Sequence, residues 1–175
     1  MKKQAAFTLV ELMVTVALAL ILASMVVPNI RSMLLNNRIT SKTNTFIGAI
    51  NYARGEAITR SSSSSGTIVV QPINTWKNGW RVWIDTNQNR TADDADIIKI
   101  FNFNDDQIEV NSDVPYIQYV YQGTLRSQNA MTFIICHKHY PRGRQVTISL
   151  NGKARTTRFD LASQGNGEYV CPPSS

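Results

Sequence analysis

Residues Phe7 to Val27 form an apolar run of 21 positions in which Glu11 alone is ionisable. At about 1.5 Å rise per residue the run makes a helix roughly 31 Å long, enough to cross the hydrocarbon core of a bilayer. Lys2 and Lys3 precede it. Such cations favour a cytoplasmic N-terminus, with the rest of the chain on the far side of the membrane. The pattern differs from a secretory signal, whose apolar region is followed by a small-x-small cleavage site. Here the polar leader has only six residues, and a carboxylate lies five positions beyond Ala6. A carboxylate within an apolar segment costs a few kcal/mol and usually marks function. Its charge is matched by any nearby amine: at about 4 Å the attraction is roughly 4 kcal/mol at an effective dielectric near 20.

The stretch KKQAA-FTLVELM resembles the processing signal of type IV pilins and type II secretion pseudopilins. That resemblance implies cleavage between Ala6 and Phe7 by a prepilin peptidase and N-methylation of Phe7. The family has Gly before the cut, and Ala6 keeps a small side chain there. Glu11 would become the fifth residue of the mature chain. Its partner is either its own Phe7 amine or that of a neighbouring subunit, and the resemblance favours the neighbour, as the register lock of a filament. Without the resemblance, Glu11 reads as a carboxylate near the headgroups of a simple anchor.

Beyond Pro28 the helical pattern resumes. Ile39, Thr43, Phe46, Ile47, Ile50, Ala53, Ala57 and Ile58 recur at three- and four-residue spacing, opposite Arg38, Lys42, Asn44, Asn51 and Arg54. One helix from Phe7 to about Thr59 is expected, kinked at Pro28, which lacks an N–H. The expected organisation is a leader at 1–6, a membrane or filament-core segment at 7–27 and an amphipathic half at 28–60. A Ser-rich linker follows at 61–66, then a β-rich domain at 67–175.

Eight β-prone runs lie in that domain: Thr67–Gln71, Trp80–Asp85, Ile97–Phe103, Gln107–Val110, Tyr116–Gln122, Met131–Lys138, Gln145–Leu150 and Ala154–Phe159. They read as hairpins of a largely antiparallel sheet packed on the second half of the helix. This strand pattern resembles minor pilins of the FimU and FimT type and pseudopilins of the GspH type. The fold class expected is therefore α+β and type IV pilin-like, a long N-terminal helix packed on a mainly antiparallel sheet.

Cys136 and Cys171 are the only cysteines. They fall in the half expected outside the cytoplasm, where disulfides persist, and two cannot make a four-ligand zinc site. A single disulfide is expected. His137 and His139 alternate at a strand end with no carboxylate near in sequence, a poor metal or catalytic pair. Neither GxSxG, GxxxxGK[ST] nor HExxH occurs, so neither an enzyme nor a cofactor is expected.

Asp85, Asn87, Asn89, Asp93 and Asp96 have the oxygen spacing of a calcium loop. Arg90 stands where such a loop needs Gly, Asp96 replaces the usual Glu, and the preceding residues read as strand. Asp and Asn also form turns for plain backbone reasons, so a solvated hairpin loop is expected there and no metal.

The net charge is +6, or +4 without Lys2 and Lys3. Its distribution matters more. Lys138, Arg142, Arg144, Lys153, Arg155 and Arg158 fall in a stretch with no acidic residue. Asn151-Gly152 between two β runs signals a type I′ hairpin that would present Lys153 and Arg155 on one face. Gly152-Lys153-Ala154-Arg155 resembles the GRxR motif of FimT-like pilins that bind DNA, with Lys153 for the first Arg. The resemblance implies DNA contact centred on Lys153 and Arg155, and the acid-free run offers Arg142, Arg144 and Arg158 as further phosphate contacts. A solvated basic hairpin or a subunit contact explains the same residues.

Together these point to a minor pilin of the type IV pilus, near the filament tip and promoting assembly. DNA capture in transformation and a GspH-like role in type II secretion are the alternatives. The implied partners are other major and minor pilins, the inner-membrane assembly platform, prepilin peptidase and, in one alternative, DNA. The implied location is the inner membrane with a periplasmic C-terminal domain, then the filament.

Overall fold

In a computed structural model of the chain, residues 8–60, 66–103, 105–165 and 169–173 are described. The leader with its cleavage site at Ala6 and Phe7, and the serines at 61–65 of the expected linker, lie outside the described residues. One helix, α1 (Leu9–Thr59), runs through position 28. The chain divides into two units, Met1–Leu35 and Asn36–Ser175.

The described part of the first unit is helical from Leu9 onward. Leu9, Val10, Leu12, Met13 and Val14 are exposed, and so are Leu20, Ile21 and Leu22. Runs of consecutive positions cover every side of a 3.6-residue helix, so its apolar surface has no polar face. The stretch is long and apolar enough to cross a membrane.

In the second unit the helix buries one stripe. Ile39, Thr43, Phe46, Ala49, Ile50, Ala53 and Ala57 are buried, at the alternating four- and three-residue steps that keep side chains on one face. Ile47 is half-buried, and Ile58, at the end of the stripe, is exposed. Thr43 fits among apolar neighbours because its hydroxyl donates to the Ile39 carbonyl at 2.8 Å, leaving no unmet donor.

Among the described residues, eight antiparallel strands follow: β1 (Thr67–Ile73), β2 (Thr75–Asp85), β3 (Ile97–Asn102), β4 (Ile108–Asn111), β5 (Ile117–Tyr119), β6 (Met131–His137), β7 (Arg142–Ile148) and β8 (Ala154–Asp160). They form two four-stranded sheets, ordered β3-β2-β1-β5 and β4-β6-β7-β8. The sequence suggests one sheet of successive hairpins, whereas β4 and β5 are neighbours in sequence that belong to different sheets. Between them lies Pro115, which has no N–H to give a ladder. Trp76 holds this crossing by donating Nε1–H to the Val114 carbonyl at 2.8 Å.

Phe46 joins the helix to both sheets. Its ring centroid lies 4.9 Å from Trp80 of β2 and 4.9 Å from Phe133 of β6. Trp76 closes the cluster at 5.0 Å from Phe133, edge to face. The pleat sends Phe133 and Ile135 towards the helix and Cys136 to the opposite face. There Cys136 is disulfide-bonded to Cys171, Cα to Cα 5.9 Å. The tail lies along this face: Tyr169 N–H donates to the Lys138 carbonyl at 2.8 Å, and Asn111 Nδ2 to the Cys171 carbonyl at 3.3 Å. Both faces of β6 are thereby covered.

Candidate functional site

Glu11 sits in the first turn of α1 and is exposed. Its N–H donates to Thr8 Oγ1 at 3.2 Å. Thr8 therefore acts as the N-cap, and Thr8-x-x-Glu11 has the spacing of a capping box. Thr8 is a residue the sequence reading passed over, although Thr followed three positions later by Glu is a sequence-level signal. The negative side chain also lies at the positive end of the helix dipole. Glu11 is thus fixed by the local backbone while its carboxylate remains open to a partner.

The basic residues are built on the β7–β8 hairpin, whose turn is not the two-residue form that Asn-Gly suggests. A type I′ turn needs positive φ at both central residues. Gly152 has φ +78, whereas Asn151 does not share that conformation. Gly152 N–H donates to the Ser149 carbonyl at 2.7 Å, and Ser149 N–H to the Lys153 carbonyl at 3.0 Å. This is a three-residue loop, Leu150 to Gly152, with the glycine as a bulge. Asn151 Oδ1 accepts from Lys153 N–H at 3.2 Å, so its side chain stabilises the turn without a left-handed backbone. Gly152 is buried, and a Cβ there would strike the Gly123 carbonyl. Tyr119 holds the same glycine, donating its hydroxyl to the Gly152 carbonyl at 3.4 Å, and burial raises the phenol's pKa.

The ladder decides which cations share a side. Arg144 pairs with Ile135 of β6 and Arg158 of β8, in register with the helix-facing row. It is 4% exposed, and one guanidinium nitrogen donates to Asn36 Oδ1 at 2.9 Å and Thr40 Oγ1 at 3.0 Å. Arg144 is therefore a contact between sheet and helix, and it does not lie on the exposed face expected for a phosphate ligand. Burial, and then the neighbouring Arg158, lower its pKa from the ordinary value. Arg155 pairs with Thr147 on the opposite face from Arg158. Arg142 lies opposite Asp160 at the far end of the hairpin, its Nε 3.5 Å from that carboxylate. The structure leaves Lys153 and Arg155 exposed near the turn, with Arg158 about 10 Å further on and facing the other way. Alternation and register, which scatter the cations, are invisible in a count of charges.

His137 is 2% exposed at the end of β6. Its Nδ1 accepts from His139 N–H at 3.1 Å, and the two rings stand 6.0 Å apart. Burial lowers its pKa, helped by Arg38 and His139 and opposed by Asp105. Arg38 itself donates to the buried Asp105 carboxylate at 2.9 Å. Asp85 ends β2 in the core, Asn87, Asn89 and Asp93 are exposed beyond it, and Asp96 is half-buried in a single 3-10 turn, Asp94–Asp96.

Residues 42–152 match the family described as type II transport protein GspH. Residues 1–27 match the prokaryotic N-terminal methylation motif. No curated protein sequence matches the chain. Among solved structures, the type IV minor pilin FimU of Pseudomonas aeruginosa is similar with a TM-score of 0.57 at 22% identity, over 70% of this chain and 90% of that one. A second crystal form of FimU gives 0.54 at 21% identity, over 67% and 91%. Identity at this level speaks for the fold, a helix on antiparallel strands in both proteins. The family match spans more than half of the chain and is preceded by the methylation motif, and on these grounds the protein belongs to the GspH family of pilin-like subunits.

Proposed function

We propose that the chain is a minor subunit of a type IV pilus, held in the inner membrane before assembly with its C-terminal domain in the periplasm, and then placed near the filament tip, where it promotes assembly. The observation that carries this reading is the start of the first unit: a helix whose apolar residues from Leu9 to Leu22 are exposed on all sides, with Glu11 capped into its first turn. Such a surface needs lipid or neighbouring helices around it. A filament supplies helices, and the free amine left by cleavage after Ala6 would supply the charge that Glu11 needs. Its partners would be major and minor pilins, with prepilin peptidase and the assembly platform acting before them. The family's description refers to type II transport, while the similar solved structures are of a type IV minor pilin. Deleting the gene separates the two machines. Loss of surface pili with intact type II secretion supports the pilus, and the opposite pattern overturns it.

DNA binding is a second reading, favoured by the exposure of Lys153 and Arg155 beside a rigid turn. With Arg144 buried and Arg142 beside Asp160, few phosphate contacts remain, so affinity would be modest and steeply salt-dependent. Lys153→Gln with Arg155→Gln should abolish any low-salt shift of duplex DNA. Wild-type protein that gives no shift at low ionic strength ends this reading.

A further inference from the structure

The β2–β3 connection carries oxygen-bearing side chains at the first, third, fifth, ninth and twelfth positions of a twelve-residue segment: Asp85, Asn87, Asn89, Asp93 and Asp96. A calcium loop with this spacing needs a sharp turn at its sixth position, usually given to Gly. Arg90 occupies that position and adopts the required left-handed conformation, φ +61, as Gln88 does two residues earlier at +59. The Arg90 guanidinium is carried over the Tyr116 ring, 6.0 Å from its centroid. Three backbone N–H groups organise the loop: Arg90 to Asp85 Oδ2 at 3.3 Å, Asn89 to Asn87 Oδ1 at 3.1 Å, and Thr91 to Asn89 Oδ1 at 2.8 Å.

An independent observation concerns the first position. Asp85 is only 1% exposed, and its second oxygen, Oδ1, is buried with no hydrogen-bond partner. Because Oδ2 of the same carboxylate accepts across the loop from Arg90, the group is directed into the loop. Opposite Asp85 in the ladder, Thr67 also holds a buried hydroxyl without a partner. Buried polar atoms are nearly always satisfied, and a carboxylate oxygen most needs a cation or a donor. Among the described residues, the His, Cys, Asp and Glu side chains already close enough to share an ion are Glu109 with Cys136 and Cys171. Those cysteines are bonded to each other and offer no thiolate. Asp93 and Asp96 are not gathered on Asp85 in this way; they flank the 3-10 turn Asp94–Asp96, where Asp96 N–H donates to the Asp93 carbonyl at 2.9 Å.

We propose that residues Asp85 to Asp96 bind one calcium ion, through Asp85 Oδ1, the side-chain oxygens of Asn87 and Asn89, the Thr91 carbonyl and Asp96, with Asp93 reaching it through water. Neutral amide and carbonyl oxygens suit calcium, which takes six to eight oxygens, better than magnesium with its strict octahedron. Binding draws Asp93 and Asp96 inward and ties the end of β2 to the start of β3.

The test uses the full chain in detergent micelles, stripped with a chelator and titrated with calcium chloride by calorimetry and thermal unfolding. Expected are one site per chain, a Kd of about 10⁻⁴–10⁻³ M, as in extracellular calcium modules, and a raised melting temperature. Asp93→Asn with Asp96→Asn, both outside the core, should leave metal-free melting unchanged and weaken binding roughly tenfold. Asp85→Asn removes the buried charge, so it should melt no lower without calcium and lose the response to it. If that variant fails to fold, the Asp93/Asp96 pair decides. The proposal is overturned by absent heat and melting shift up to about 10 mM calcium, by an equal response to magnesium, or by double-variant binding as tight as wild type.

Discussion

Arg144 takes a positive charge into the contact between β7 and α1, where both hydrogen-bond partners, Asn36 and Thr40, are neutral. Arg144→Gln should therefore destabilise the protein by about 1–3 kcal/mol, the cost of breaking hydrogen bonds to a part-buried charged group. Denaturant unfolding measures it, and a change under about 0.5 kcal/mol, typical of a surface position, would place Arg144 on the surface after all. His137 makes a second prediction. Its folded pKa lies below the ordinary 6.5, so the unfolded chain takes up a proton first as pH falls. This contribution to stability is intact above pH 6.5 and is lost as pH drops from there through the lower folded value. His137→Asn keeps an acceptor for the His139 N–H and should flatten the fall in melting temperature between neutral pH and pH 5. An unchanged slope would assign the acid sensitivity elsewhere. Neither role was legible in the sequence, because an arginine in an acid-free stretch and a histidine beside another look alike whether buried or solvated. What separates them is register, set by the pairing of Arg144 with Ile135 and Arg158 and of His137 with Ile108.

At the scale of elements, the amphipathic half of α1 was the most legible part, because its spacing alone defines a face. Ile58 departs from the stripe because it lies about 100° round the helix from the buried Ala57. The strands were legible as segments, but their partners were not. Nothing local tells that β4 pairs with β6 and β5 with β1. The Asn151-Gly152 pair located a hairpin correctly and misidentified its turn, because Asn can either take positive φ or bond the backbone with its side chain. Here it does the second. Phe46 is the point where these elements depend on one another. Phe46→Ala would leave a void facing Trp76, Trp80 and Phe133 and should cost about 3–5 kcal/mol. Chemical denaturation checks it, and a loss near 1 kcal/mol would mean that the sheets hold together without the helix.

At the scale of the molecule, the second unit buries an apolar core of its own, while the large apolar side chains from Leu9 to Leu22 in the first are exposed. Leu9, Val10, Leu12, Met13, Val14, Leu20, Ile21 and Leu22 are exposed, so changes there should act on membrane insertion or assembly and not on folding. Glu11 tests this division most cleanly, because two roles compete for it. Its carboxylate could serve its own helix, through the capping box with Thr8 and the dipole, or a neighbouring subunit's amine. Glu11→Gln retains the side-chain acceptor of a capping box but removes the charge. Loss of the dipole term costs only about 0.3–1 kcal/mol, too little to unseat a 51-residue helix. Loss of an ion pair in an apolar surrounding removes several times that. The variant should insert into the membrane, keep the unfolding transition of the β domain unchanged, and fall sharply in sheared filament fractions. Thr8→Ala, which removes the cap and keeps the charge, should still assemble. If Glu11→Gln enters filaments as well as wild type, or if Thr8→Ala fails equally, the carboxylate serves its own helix and the filament register is set elsewhere.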